Sequence, residues 1–436
     1  MSNIIKDQKN ILAKLGIEKL NPMQEEASLA ITSCDAVVLL SPTGTGKTLA
    51  FLLPIIEALD KDCKEVQALI LVPSRELSIQ IEQVVREMGT GYKVNAVYGG
   101  RPFGKDKVDL AHLPAILVGT PGRIADHLRN ETFATKDIKT LVLDEFDKSL
   151  EVGFENEMTQ IMASLRTLNK KVLTSATQAV VIPKFVDLKN PTYINYLSED
   201  TSQLKVKIVQ SPTKDKLETL AQLLCHIGNA PGIIFCNFKD TIEYVSDFLA
   251  EKEINHGCFF GGMEQIDRER ALVKFRNGTH QLIIATDLAA RGIDVPEMKF
   301  IIHYQLPLKG HEFTHRNGRT ARMNAEGTSY VLQGKGEQLP DYIIDSEKES
   351  LQKKPFPKAS KWETLYISGG RKDKISKGDV AGLFMKQGNL AKEELGVIEI
   401  KQDCTFVAIP ASLANHLIET LNNSRLKKRK VRISLL

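Results

Sequence analysis

Short, wholly apolar, β-branched runs recur along the chain at intervals of a few tens of residues. AVVLL (36–40), ALILV (68–72), AILV (115–118), LVL (141–143) and KVLTS (171–175) are separated by amphipathic stretches such as LSIQIEQVVREM (77–88). Strands apolar on both faces, alternating with helical periodicity, predict βαβ units and a parallel sheet covered by helices on both sides. The pattern then repeats. GIIF (232–235), LIIAT (282–286), KFIIHY (299–304) and TSYVLQ (328–333) predict a second α/β unit. A polar stretch, 197–216, reads as the connection between the two. A charged, proline-containing stretch, 334–361, reads as a further connector, partly helical.

Beyond residue 361 the order changes. TLYISGG, SKGDVAGLFMKQ, VIEIK, CTFVAIP, ASLANHLIETL and KVRISLL predict β-α-β-β-α-β, the split order also used by RNA-recognition modules. The length of 436 residues agrees with about three domains. With 42% hydrophobic and 26% charged residues, disordered and collagenous classes are excluded. No run approaches the ~18 apolar residues of a membrane span, and MSNIIKDQKN has no basic-then-apolar leader. A cytoplasmic, monomeric protein without membrane association is expected. The six cysteines are dispersed without a C-x-x-C pair, which argues against zinc and against a disulfide framework.

The net charge of +4 conceals an asymmetry. Residues 361–436 hold 14 Lys and Arg against 8 Asp and Glu, +6, which leaves −2 for residues 1–360. A basic appended module points to an anionic partner, nucleic acid first.

Ser41-Pro42-Thr43-Gly44-Thr45-Gly46-Lys47-Thr48 follows an apolar strand and precedes a helical run. Glycines let successive N–H groups turn toward a phosphate, and the helix N-terminus adds a positive dipole. Lys47 is expected to reach the β- and γ-phosphates and Thr48 to hold Mg²⁺, although Ser41 stands where the strict pattern has glycine. Asp144-Glu145-Phe146-Asp147 ends the strand LVL, where α/β sheets bind ligands. Asp144 is expected to reach Mg²⁺ through water, and Glu145 to polarise the attacking water. In the second unit, His315-Arg316-Asn317-Gly318-Arg319-Thr320-Ala321-Arg322 gathers arginines of the kind that neutralise charge on a transferring phosphoryl group. Arg319 and Arg322 are the candidates to complete the site on closure of two facing domains.

With these residues in view, the chain resembles a DEAD-box RNA helicase of superfamily 2 from about residue 10 to 335. Gly16-Ile17 through Gln24 resembles the adenine-recognising Q motif, and Ser41–Thr48 motif I. Pro73-Ser74-Arg75-Glu76-Leu77 resembles motif Ia, Gly99-Gly100 the GG doublet and Thr120-Pro121-Gly122-Arg123 motif Ib. Asp144–Asp147 resembles motif II and Ser175-Ala176-Thr177 motif III. Ile234-Phe235-Cys236-Asn237 resembles motif IV, Gln265–Arg268 the Q-x-x-R element, Thr286–Asp294 motif V and His315–Arg322 motif VI. The resemblance implies two tandem RecA-like parallel-sheet domains, here 1–200 and 205–335, followed by a linker, 336–361, and an RRM-like domain, 362–436. It implies RNA-stimulated ATP hydrolysis with Mg²⁺. Nucleotide contacts are then Gln24, Thr43, Gly44, Thr45, Gly46, Lys47, Thr48, Gly292 and Asp294. Coupling falls to Ser175, Thr177, Asp147 and His315. RNA contacts fall to Pro73, Arg75, Gly99, Gly100, Thr120, Arg123, Arg268 and Thr286, chiefly to the sugar-phosphate backbone and so without sequence preference.

Two departures change the expectations. Phe146 stands where the family has alanine and needs extra room, expected near motifs III and VI. No aromatic residue precedes Gln24, so stacking on adenine is lost and weaker or less selective ATP binding is expected, by about 1–3 kcal/mol. Residues 362–436 resemble the DbpA-type RNA-binding domain at Ile375–Val380, Gly396–Ile400, Thr405–Val407 and Lys428–Arg432. The run Arg425–Arg432, six cations in eight residues, makes Lys427, Lys428, Arg429 and Lys430 candidate phosphate contacts. That resemblance implies a tether on large-subunit ribosomal RNA. An ATP-gated RNA clamp that unwinds little is the main alternative, and a DNA translocase a weaker one.

Overall fold

The apolar runs become the interior strands of two parallel sheets. The computed structural model describes residues 6–151, 153–177, 182–197, 203–287, 298–320, 326–344 and 346–436. The chain divides into two compact units, the described residues up to 197 forming the first and those from 203 the second. In the first unit the strands are β1 (Ala36–Leu40), β2 (Ala68–Leu71), β3 (Val94–Val97), β4 (Ile116–Gly119), β5 (Thr140–Leu143), β6 (Lys170–Ser175) and β7 (Thr192–Asn195). Their order is β3-β4-β2-β5-β6-β1-β7, parallel throughout. Among the described residues the helices run α1 (Gln8–Leu15), α2 (Pro22–Ser33), α3 (Lys47–Ala58), α4 (Arg75–Met88), α5 (Phe103–Asp109), α6 (Pro121–Arg129), α7 (Phe146–Glu151) and α8 (Glu155–Ser164). Alternate residues of β1 serve opposite faces. Val37 and Leu39 join the core under α2, α3 and α4, while Val38 and Leu40 join that under α6 and α8. A strand buried on both faces has no polar side to show, so its sequence reads as a continuous apolar run.

Phe146 opens the helix Phe146–Glu151 and is buried in the second of those cores, the cluster that also holds Leu40, Ile124 and Leu173 of β6, the strand that ends at motif III. Within the first unit the room it takes is hydrophobic core.

The second unit repeats the plan with β8 (Gln203–Gln210), β9 (Gly232–Phe235), β10 (His256–Phe259), β11 (Leu282–Ala285), β12 (Phe300–His303), β13 (Glu326–Gln333) and β14 (Ser346–Lys348), in the order β10-β11-β9-β12-β13-β8-β14 and again parallel. Its helices include α9 (Leu217–Ile227), α10 (Lys239–Glu251) and α11 (Gln265–Arg276). β8 lies in the stretch read as an interdomain connection, and β14 in the stretch read as a partly helical connector. Both expectations are corrected. β14 is a three-residue edge strand that pairs by position and carries no apolar signal of its own, whereas β8, paired on both sides, alternates polar with apolar residues and so lacks the continuous apolar run of the other interior strands.

The last segment forms an antiparallel sheet, ordered β16-β17-β15-β20, from β15 (Trp362–Ile367), β16 (Ile398–Ile400), β17 (Thr405–Pro410) and β20 (Ile433–Leu435). Helices Lys377–Lys386 and Ala414–Leu421 pack on it, in the predicted β-α-β-β-α-β succession. A hairpin, β18 (Arg425–Leu426) with β19 (Arg429–Lys430), precedes β20. The module is joined to α11 of the second unit. Glu399 accepts from Arg276 Nη2 at 2.9 Å and from Lys401 Nζ at 2.7 Å, and Lys401 also pairs with Glu269 at 2.8 Å. Burial alone would push the Glu399 carboxyl up, but Lys401 and Arg276 outweigh it and hold it below its ordinary value. Thr364 Oγ1 meets Thr279 Oγ1 at 2.7 Å and Asn277 Nδ2 at 3.2 Å. Among the described residues no helix is long and apolar enough to cross a membrane.

Candidate active site and RNA-contacting loops

The loop between β1 and α3 is shaped for phosphate. Gly44 and Gly46 have φ of +85° and +88°, backbone that side chains resist. A Cβ on Gly46 would also lie 2.2 Å from Gln24 Nε2. Lys47, buried at the start of α3, donates from Nζ to the carbonyls of Ser41 (2.6 Å) and Pro42 (2.8 Å). Ser41, where the strict pattern has glycine, is buried with its hydroxyl satisfied, donating to Thr45 Oγ1 at 2.8 Å. Gln24 Nε2 donates to the Gly46 carbonyl at 3.2 Å, so the Q motif braces the loop. Thr43, Gly44, Thr45 and Thr48 complete this segment.

Asn21 was not expected to matter. It caps α2 reciprocally with Gln24, N–H to side-chain oxygen at 3.0 and 2.9 Å, and its Nδ2 donates to the Thr45 carbonyl at 3.0 Å. The Asn-x-x-Gln spacing at a helix start was the available signal.

Across the crevice, Asp144 leaves the end of β5. Its N–H donates to Leu71 O at 3.0 Å and its carboxylate accepts from Thr174 Oγ1. Burial, and then the charge of Glu145, push the Asp144 carboxyl up to about 6. Glu145 has φ +49°, a left-handed conformation rare outside glycine, of the strained kind that clusters at active sites. Asp147, buried, accepts from Thr177 Oγ1 at 3.1 Å, and Ser175 Oγ donates to Thr177 O at 2.8 Å. Motifs II and III are thus one hydrogen-bonded unit. Among the described residues no three His, Cys, Asp or Glu gather as a metal cage. Hard oxygens from Thr48 and Asp144, with phosphate and water for the rest, are the donor set Mg²⁺ takes beside a nucleotide.

The expected RNA-contacting loops leave the same edge of the first sheet. Pro73 and Arg75 follow β2, Gly99 and Gly100 follow β3, and Thr120 follows β4. Arg75 lies against Gly100: a Cβ there would stand 2.3 Å from Arg75 Nη1. Arg123 turns inward. Its side chain is 9% exposed, its Nε lies 2.8 Å from Asp106, and its Nη2 donates to Arg101 O. In this structure the Arg123 guanidinium is thus held in an internal tie. Asp106, fully buried, also meets Arg101 Nε at 2.8 Å and His127 Nε2 at 3.3 Å. Set between two lysines on a short helix, Asp106 reads in sequence as solvated, so nothing local marks it.

In the second unit, Arg316 is fully buried. Nε and Nη2 reach Asp287 at 2.7 and 2.6 Å, Nη2 reaches Asn237 Oδ1 at 2.7 Å, and Nη1 donates to Gln305 O at 2.6 Å. Motifs IV, V and VI are fastened by this one guanidinium. Arg319 is buried just beyond the helix Gly310–Asn317, whose last turn holds His315. Thr286 follows β11, and the buried Arg268 lies 4.7 Å from the Phe259 ring centre. Gly292, Asp294 and Arg322 lie outside the described residues.

Three family models match in succession: DEAD/DEAH box helicase over residues 21–184, Helicase conserved C-terminal domain over 215–324 and DbpA RNA binding domain over 364–435. The ATP-dependent RNA helicase DbpA of Escherichia coli (strain K12) is 30% identical over 439 residues, covering 98% of this chain and 96% of that protein. This chain is a DEAD-box ATP-dependent RNA helicase. The helicase is also 30% identical to the ATP-dependent RNA helicase DbpA of Bacillus subtilis (strain 168), over 97% of its own length and 96% of the relative's. Among solved structures, S. cerevisiae Dbp5 bound to RNA and ADP BeF3 shares the fold at TM-score 0.71 and 24% identity, over 79% of this helicase and 93% of that chain. RNA-stimulated ATP hydrolysis is the activity of this class.

On the helicase's basic hairpin, two of the four expected phosphate contacts are committed internally. Lys427 Nζ lies 2.9 Å from Asp379 and Arg429 Nη1 2.6 Å from Asp373. Lys428 and Lys430 are exposed. Phe406, the aromatic of β17, is buried beside Tyr366, their rings 6.0 Å apart.

Proposed function

We propose that this helicase hydrolyses magnesium ATP with the residues assembled on its first domain, and uses turnover to open structured ribosomal RNA of the large subunit. Lys47 and the N–H groups from Gly44 to Thr48 hold phosphate. Thr48 and Asp144 hold the metal, which when bound neutralises phosphate charge. Glu145 orients the attacking water and accepts its proton. Asp147, Thr177 and Ser175 carry the change onward, and Arg319 with Arg322 complete the charge neutralisation. Pro73, Arg75, Gly99, Gly100, Thr120, Arg123, Arg268 and Thr286 contact RNA. Domain limits of 1–200 and 362–436 and a cytoplasmic, monomeric state belong to the same reading, with the expected second domain, 205–335, widened to the span of its sheet from Gln203 to Lys348.

The observation that supports it is the run of two helicase domains into a DbpA-type RNA-binding domain on one chain, with Lys428 and Lys430 offered to phosphate. The test is ATPase rate against large-subunit ribosomal RNA fragments, unrelated RNA and DNA at fixed salt. Preferential stimulation by the ribosomal fragments is expected, and equal stimulation by all three counts against it. Glu145→Gln separates unwinding from clamping: a turnover-dependent helicase loses strand separation, a clamp keeps its activity.

A further inference from the structure

The two helicase sheets correspond strand for strand by position: β3 with β10, β4 with β11, β2 with β9. In the first, the loops after these strands carry Gly99-Gly100, Thr120 and Ser74-Arg75. In the second they carry Phe260-Gly261-Gly262, Thr286 and Phe238-Lys239. Because each sheet is parallel, the three loops of each lie along one edge.

One pair differs in kind. Ser74 caps α4, its Oγ accepting from Leu77 N–H at 3.2 Å. Phe238 occupies the same capping place on α10, extended at φ −127°, and no side chain accepts there. A helix start favours Ser, Thr, Asp or Asn, so phenylalanine forgoes that stabilisation. Nor does the ring repay it by burial, since Phe238 is 64% exposed. A lone exposed hydrophobe is ordinary. This one displaces a cap and is followed directly by Lys239, whose Nζ lies 5.8 Å from the ring centre of Phe260 in the neighbouring loop and 3.3 Å from Glu243.

We propose that Phe238 stacks on a base of the bound RNA, a base-directed contact on the second domain beside the backbone grip. The inference rests on the RNA-contacting reading of Thr286 and Arg268 on the same edge. Every base has a π-face, so the contact adds affinity without choosing sequence.

The test uses the full chain with AMP-PNP, Mg²⁺ and a ten-nucleotide single-stranded RNA. Phe238→Ala weakens binding about fivefold or more, and Phe238→Trp retains it. With an abasic ribose walked along the RNA, the wild type loses a similar factor at one position, and Phe238→Ala loses nothing further there. An unchanged affinity in Phe238→Ala, or an equal deficit against every abasic RNA, overturns the proposal. Thr286→Val distinguishes the two levels. If it weakens binding while Phe238→Ala is silent, only the stacking falls; if both are silent, the RNA-contacting reading of this edge falls as well.

Discussion

The sixth strand of each helicase sheet is followed by Ser-Pro-Thr, and there the two domains part. After β1, Ser41-Pro42-Thr43 continues into Gly44-Thr45-Gly46-Lys47, and α3 begins with its N–H groups facing a glycine turn. After β8, Ser211-Pro212-Thr213 continues into Lys214-Asp215-Lys216, and Asp215 Oδ1 accepts from Leu217 N–H at 3.1 Å as α9 begins. A carboxylate of the chain itself thus takes the helix-start donor that the first domain keeps for phosphate. Lys216 is likewise turned inward, donating to Leu332 O at 3.1 Å and lying 3.4 Å from Glu337. A cavity of about 800 Å³ remains beside it, lined by Lys214, Asp215, Asn237, Tyr304 and Gln305 among others. The fold offers the crevice twice; only in the first domain do two glycines open the turn and leave the helix-start donors clear of a carboxylate like Asp215, the arrangement suited to phosphate.

The largest expected effect tests that contrast directly. Lys47→Ala lowers the kcat of RNA-stimulated ATP hydrolysis by about 100-fold or more, whereas Lys216→Ala leaves it within about twofold. Equal losses in steady-state assays would remove the distinction. Gly46→Ala should cost more than about 1 kcal/mol of first-domain stability, because alanine resists φ +88° and its methyl meets Gln24. Thermal melting of the variant measures this, and a Tm equal to wild type contradicts the geometry.

The domains should also answer acid oppositely. In the second, burial and then the Arg316 charge hold His303 down at about 3, and burial with Lys274 holds His280 at about 4. The unfolded chain takes up those protons first, so second-domain stability falls as pH drops below about 6.5 toward those values. In the first, the Asp144 carboxyl sits at about 6, above its ordinary value, so the folded state takes the proton first and that contribution improves as pH falls through 6. Urea denaturation read by methyl resonances in each domain checks both signs. His303→Gln should remove up to about 1.4 kcal/mol per pH unit of the second-domain slope between pH 4 and 6. An unaltered slope rejects it. The smallest effect belongs to Asn21→Ala, which loses the cap and the bond to Thr45. It should raise the KM for ATP about fivefold, in proportion to ~1 kcal/mol, and leave RNA affinity untouched.

Much of the first domain was legible because its signals are local. AVVLL followed by a glycine turn and Lys47, or LVL followed by Asp144 and Glu145, states strand, loop and chemistry within a few residues. Asp106, Asn21 and Arg316 were harder. Asp106 and Arg316 act through partners far along the chain, Arg123 and Asn237, and Asn21 adds a bond to the Thr45 carbonyl to its local cap with Gln24. Edge strands such as β7 and β14 were missed for another reason: they pair by position in the sheet and need little apolar content of their own.

Apolar periodicity and the spacing of glycines, carboxylates and arginines determined the α/β repeats, the phosphate loop and the basic final module. These depend on neighbours a turn or a strand away, which the order of residues dictates. Which charge meets which was left to the folded chain. Only there does Arg123 turn to Asp106, Lys427 to Asp379 and Glu399 to Arg276, while Phe146 is buried and Phe238 left in water. Pairing and burial are set by distances in space, and residues remote in the sequence supply the other half of every such contact.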